Sequence, residues 1–167
     1  RLYDVTVLGR RVEKSLTPRA ELLEAVLFES GRPILVTPPE KPKKLGEVIV
    51  IAWNGSTESA RAVSFAKPLL ERAKRIVVLA IEEAMVSGPS AADLARSLSR
   101  GGLDVEAISR SAGAQAKGEA MVKGAMDLGA DLLVKGAYTH SRLRQMVFGG
   151  VTRHILQEAT IPVLMSH

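Results

Sequence analysis

The chain has 167 residues, of which 46% are hydrophobic and 25% charged, and its formal net charge is +5. This length and composition are typical of a soluble globular domain and exclude a disordered or fibrous chain. The absence of cysteine excludes disulfides, thiolate metal sites and cysteine nucleophiles. We find neither an apolar run long enough to span a bilayer nor a signal segment, and therefore expect a cytoplasmic protein without membrane contact.

The first 44 residues read as a strand, a helix and a strand, followed by a stiff charged linker at Pro38–Lys44. Arg1 stands where a methionine would begin a full chain, so we expect the sequence to start inside a longer protein. The segment resembles the end of the chain: Asp4, Val7, Gly9, Leu27, Glu29, Pro33 and Leu35 correspond to Asp131, Val134, Gly136, Leu156, Glu158, Pro162 and Leu164. We interpret residues 1–44 as the remnant of a duplicated first domain and residues 45–167 as a complete domain; chance likeness of two short units is the alternative.

From residue 47 onward, strand-length apolar runs alternate with helical patterns, which is typical of a parallel α/β sheet. The predicted strands are Glu47–Trp53, Arg75–Ile81, Leu103–Ile108, Asp131–Val134 and Pro162–Met165, and the predicted helices are Thr57–Ala73, Ala91–Arg100, Ala114–Leu128 and Gly150–Ala159. Right-handed crossovers then favour a five-stranded parallel sheet of order 3-2-1-4-5, Rossmann-like, with helices on both faces.

Such a sheet opens a crevice where the winding direction reverses, between its first and fourth strands. The loops that follow Trp53 and Val134 should therefore lie side by side. Gly149 and Gly150 precede the last helix, where unpaired N–H groups and the helix dipole suit a phosphate. The residues alone leave two readings open, a phosphate cradle or a tight turn into the helix.

Catalytic machinery is not evident in the sequence. The three histidines lack metal-ligand spacing with carboxylates, so no metal is predicted, and neither a P-loop nor a GxGxxG fingerprint follows a strand. Scattered basic residues with few aromatic neighbours do not predict nucleic-acid binding. We expect a protein that is not an enzyme, or at most a slow ATPase.

The stretches IVIAWNGS, LGADLLVKG and GAYTHSRLRQMVFGGVTRHILQEATIPVLMSH resemble the universal stress protein family, whose fold is that of the adenine-nucleotide α-hydrolases. Members that bind ATP carry Gly, two residues, Gly, nine residues, then Gly and Ser or Thr. This sequence keeps Gly136 and Gly149 but has Thr139 for the second glycine and Gly150 for the hydroxyl residue. Asn54 stands in place of the family's strand-end aspartate, so the resemblance implies weakened or altered nucleotide binding.

The resemblance also implies which residues would contact ATP or another adenine nucleotide. These are Ala52, Trp53, Asn54, Ala80, Gly136, Ala137, Tyr138, Thr139, Gly149, Gly150 and Val151. The first three would line the adenosine side, Ala80 would touch the base, and Gly136 with Tyr138 would close over the ribose. Thr139, Gly149, Gly150 and Val151 would offer backbone N–H groups to phosphate. Trp53 has a second reading, as a packing residue at the edge of the core.

Two functions follow from the resemblance. One is an adenine-nucleotide-responsive binding module in stress adaptation, and the other is an interaction or structural protein that no longer binds nucleotide and acts through a dimer-like surface. Family members pair through their last strands. We therefore expect Ile34–Thr37 to lie antiparallel to Val163–Ser166, in a homodimer or in the pseudo-dimer of a tandem chain.

Overall fold

In a computed structural model, residues 2–10, 20–137 and 150–167 are described, apart from the side chains of residues 20 and 21. The strands are β1 (Thr6–Gly9), β2 (Ile34–Thr37), β3 (Val48–Trp53), β4 (Arg75–Ile81), β5 (Val105–Arg110), β6 (Leu132–Gly136) and β7 (Val163–Ser166). The α-helices are α1 (Ala20–Glu29), α2 (Thr57–Leu70), α3 (Ala91–Arg100), α4 (Lys117–Asp127) and α5 (Gly150–Glu158).

All described strands join one sheet of order β1-β2-β7-β6-β3-β4-β5. The run β5-β4-β3-β6-β7 is parallel throughout and has the predicted order 3-2-1-4-5. The predicted fold class is confirmed, but the sheet has seven strands rather than five, because β1 and β2 of the amino-terminal strand-helix-strand piece extend it. They do so because β7 has a free edge whose backbone groups β2 can pair.

β2 and β7 meet as the one antiparallel pair of the described sheet, with Leu35 opposite Leu164. The predicted antiparallel contact of Ile34–Thr37 with Val163–Ser166 is thereby confirmed within the chain. On either side of this junction the parallel registers correspond: Thr6 pairs with Ile34 as Leu133 pairs with Val163. The strand pairs β1–β2 and β6–β7 are therefore related by a local pseudo-twofold axis at the β2–β7 junction.

The central strands β3, β4 and β6 are buried on both faces of the sheet. Alternate residues of β3 point to opposite sides: Val50 and Ala52 join a core with α1, α4 and α5, whereas Ile51 and Trp53 join a core with α2 and α3. Strands covered on both faces read as continuous apolar runs, which explains why their sequences were recognisable. Helices α1, α4 and α5 thus lie on one face and α2 and α3 on the other.

Several observed boundaries differ from the predicted ones. β5 begins at Val105 rather than Leu103, because Gly102 adopts φ +88 and Leu103 N donates to Leu98 O, 3.3 Å away, closing the end of α3. α2 ends at Leu70 rather than Ala73, since Ala73 N bonds the carbonyl of Leu70 three residues back, as at many helix ends.

Candidate functional site

The carboxyl ends of β3 and β6 lie side by side, with Ala52 directly in register with Lys135. After β3 the chain enters α2 on one face of the sheet, and β6 is followed in the described chain by α5 on the other face. The direction of winding therefore reverses between these two strands. This is the point at which open α/β sheets bind ligands.

The loop after β3 is a capped turn built around Asn54. Its side-chain oxygen accepts from Ser56 N at 3.2 Å, and Ser56 in turn caps α2 by accepting from Ser59 N at 3.2 Å. The carbonyl of Asn54 accepts from Val86 N at 2.9 Å. Asn54 thus orders the turn that begins α2, a role an amide side chain fills without a ligand.

Trp53 faces the α2 and α3 side of the sheet, where it is 4% exposed. Its indole Nε1–H donates to Pro89 O at 2.8 Å, so the loop between β4 and α3 passes over the end of β3. Where this loop passes the turn after β3, a Cβ on Gly88 would overlap the carbonyl oxygen of Gly55. Gly55 itself adopts a positive φ of +83°, which favours glycine. Ala80 lies beside Trp53 in register and in the same core.

Gly136 ends β6, Ala137 follows it, and both are packed against their neighbours. A Cβ on Gly136 would overlap Ser59 N and lie 2.8 Å from Ser59 Cα, so the missing side chain makes room for the first turn of α2. Ala137 is buried, donates to Ser166 O at 2.8 Å, and its carbonyl lies 3.1 Å from Nδ1 of His167. The small size of Gly136 therefore serves helix packing.

The described end of the predicted phosphate loop is the first turn of α5. Gly150 is exposed, and a Cβ there would meet no atom of the described residues within 4 Å, whereas Val151 is half-buried and lies close to Gly118 of α4. The predicted contacts Tyr138, Thr139 and Gly149 lie outside the described residues. Of the other predicted residues, Ala52 and Ala137 belong to the α4 and α5 face, opposite to Trp53 and Ala80.

The structure adds Lys135, which sequence reasoning missed. Its side chain is 5% exposed, and Nζ donates to Gly136 O at 2.6 Å and to Thr152 Oγ1 at 3.0 Å. Burial lowers the pKa of this ammonium to about 8. The signal in the sequence was a single lysine that ends an apolar strand just before a glycine.

Two further features lie near the ends of β4 and β5. The carboxylate of Glu83 accepts from Ser111 Oγ at 2.5 Å and from Ala112 N at 2.8 Å, and these hydrogen bonds lower its pKa to about 2. Glu83 thus ties the loop after β4 to the loop after β5.

A pocket of about 220 Å³ opens beside α4, lined by Arg110, Lys123 and Asp127 among others.

Within the described ranges, no group of three or more His, Cys, Asp or Glu side chains is arranged to hold a metal ion. In the same part of the chain, no helix has the length and apolar character needed to cross a membrane.

Comparison with known proteins places these features in a family. The sequence model of the Universal stress protein family matches residues 47–167. A curated relative, Universal stress protein Slr1230 of Synechocystis, is 28% identical over 169 residues, covering 97% of this chain but 57% of its own length. The chain thus spans little more than half of that relative.

Solved structures share the fold at lower identity. A universal stress protein from Archaeoglobus fulgidus DSM 4304 superposes with a TM-score of 0.76 at 16% identity, over 99% of this chain and 61% of that one. UspA from Lactobacillus plantarum superposes with a TM-score of 0.54 at 13% identity, over 75% of this chain and 100% of that one. Because the family model covers most of the chain, we conclude that this protein belongs to the universal stress protein family.

Proposed function

We propose that the protein is an adenine-nucleotide-responsive binding module in stress adaptation, in which occupancy of the cleft between β3 and β6 carries the signal. The observation that carries this proposal is the reversal of winding at Ala52 and Lys135, beside an α5 amino terminus that is open at Gly150. A helix amino terminus offers N–H groups and partial positive charge to an anion. Family membership supplies the nucleotide as the expected ligand.

Trp53 provides the first readout of binding. It is the single tryptophan of the chain, is buried at the end of β3 and is bonded to the loop before α3. A nucleotide that contacts Asn54 should therefore change its emission. We expect saturable changes on titration with ATP, ADP and AMP, and a parallel calorimetric titration detects binding that leaves the indole unaffected.

Position 150 allows a matched pair of variants that separates binding from folding. Gly150→Asp places a carboxylate at the amino terminus of α5, where the helix tolerates it but a phosphate is repelled. Gly150→Ser introduces only a hydroxyl, and no atom of the described residues lies within 4 Å of a Cβ at this position. We expect Gly150→Asp to lose nucleotide binding with an unchanged or higher melting temperature, and Gly150→Ser to retain it.

The opposing outcome is equally definite. If neither fluorescence nor calorimetry detects ATP, ADP or AMP at millimolar concentration, the protein is not a nucleotide-responsive module. An interaction role through the sheet surface would then replace the proposal.

A further inference from the structure

Lys135 is a buried cation whose described partners are all neutral. Its Nζ donates to a backbone carbonyl and to the hydroxyl of Thr152, which is itself buried. An ammonium has three donors, and no carboxylate accepts from this one among the described residues. Burying a cation without a negative partner costs free energy, so such a group usually has a functional reason to be there.

The amino-terminal strand pair β1–β2 provides an internal comparison for this position. Leu8 corresponds to Lys135, because Leu8 pairs with Val36 in the same register in which Lys135 pairs with Met165. Leu23 of α1 corresponds to Thr152 of α5, since each lies four residues before a buried leucine, Leu27 or Leu156. Leu23 is fully buried, and Leu8 packs against the same core. Two leucines therefore fill the place that Lys135 and Thr152 fill, and the fold does not require a polar pair there.

Lys135 is located where an anion would be useful. Thr152 is the third residue of α5, so the ammonium lies against the first turn of this helix and in register with Ala52 on β3. The helix amino terminus carries partial positive charge of its own, which disfavours a neighbouring cation. A bound anion would stabilise both groups at once, since it compensates the buried charge as well as the helix dipole.

We propose that Lys135 is a phosphate-binding residue, which donates to the anionic phosphate of a ligand held at the α5 amino terminus between β3 and β6. This inference rests on the proposed function and names its ionic contact. Thr152 is then a positioning residue that orients the ammonium toward the first turn of α5.

The test compares ATP with adenosine in calorimetric titrations of the wild-type chain and of Lys135→Met. The substituted side chain has similar length and no charge, and replacing a buried charge by an apolar group is often neutral or stabilising. We expect Lys135→Met to weaken ATP binding by about tenfold or more, because a charge-assisted hydrogen bond is lost, and to leave adenosine binding nearly unchanged. Lys67→Met removes an exposed lysine on α2 and should change neither affinity.

Thermal melts show whether Lys135→Met folds. If it does not, the double variant Lys135→Leu/Thr152→Leu, which copies Leu8 and Leu23, takes its place in the same titrations. Equal affinity of wild type and variant for ATP overturns the role of Lys135 while leaving nucleotide binding intact. A wild type that binds adenosine as tightly as ATP also overturns the phosphate contact, and a wild type that binds neither ligand overturns the proposed function together with this inference.

Discussion

Gly136 and Gly9 occupy equivalent positions in the strand pairs β6–β7 and β1–β2, opposite Ser166 and Thr37. Their surroundings differ. A side chain on Gly136 would collide with the backbone of Ser59, whereas a Cβ on Gly9 would meet, among the described residues, only Thr37 Oγ1, 3.9 Å away. The glycine that the family motif shares with this chain is thus required by packing at the start of α2.

We expect Gly136→Ala to lower the free energy of unfolding by about 2 kcal/mol or more, because α2 must shift to admit the methyl group. Gly9→Ala is the matched control and should be close to neutral, with changes of about 0.5 kcal/mol. Urea denaturation of both variants measures the difference. Equal stability of the two variants would show that the first turn of α2 does not crowd β6.

The buried ammonium of Lys135 also makes stability depend on pH. Burial lowers its pKa from 10.5 to about 8 in the folded chain. Between these pH values the unfolded chain binds the proton that the folded chain has released, so stability rises with pH. Below pH 8 both states are protonated and the cost of the buried charge is fully present.

The rise should be on the order of 3 kcal/mol, at about 1.4 kcal/mol for each tenfold change in proton affinity. Lys135→Met should abolish it, and the difference between the two pH profiles of unfolding free energy removes the contribution of other groups. Parallel profiles from pH 7 to 10.5 would contradict the burial of this charge.

At the scale of elements, Asp131 fastens the starts of β3 and β6 together. Its carboxylate accepts from the backbone N–H groups of Gly46, Glu47 and Val48 at 2.8, 3.0 and 3.2 Å. Since β3 and β6 border the cleft, this contact fixes their relative register from the end opposite to the site. The family-like stretch around Asp131 therefore has a structural role.

Asp131→Ala should destabilise the chain by roughly 2 kcal/mol, because three backbone donors lose a charged acceptor. The corresponding residue of the first segment, Asp4, has a side chain that is 98% exposed and lies 3.8 Å from Arg32. Asp4→Ala is the control and should change the melting temperature little. A similar loss of stability in both variants would mean that the hydrogen bonds from Gly46, Glu47 and Val48 to Asp131 contribute nothing specific to stability.

The sequence sufficed for β3, β4, β6 and β7 because these strands are almost entirely buried and read as largely apolar runs. The pairing of β2 with β7 was predicted from the family resemblance, since the pairing of two edge strands leaves no periodic pattern in the sequence. Lys135 was missed because the apolar pattern of β6 does not show whether the side chain of a lysine near the strand end is buried or reaches solvent. For Gly136, the sequence is compatible with two roles, close approach of a ligand or close packing of a helix. Only the short distance to the backbone of Ser59 in the structure distinguishes packing from the other role.

At the scale of the whole molecule, β2 covers the β7 edge. We propose that without β2 the same edge pairs with a second copy, as in a homodimer. Residues 45–167 alone should then sediment at twice their chain mass, whereas residues 1–167 should sediment at the mass of one chain. A fragment that stays monomeric at high concentration would rule out β7 as a dimer edge.

The central claim is that a nucleotide binds where β3 and β6 end, and amide chemical shifts of the ¹⁵N-labelled chain test it most directly. We predict that ATP shifts the amides of Asn54, Gly55 and Ser56 together with those of Gly150 and Val151, saturating at one nucleotide per chain. Shifts confined to the pocket lined by Arg110 and Lys123, or no saturable shift at all, would contradict the account.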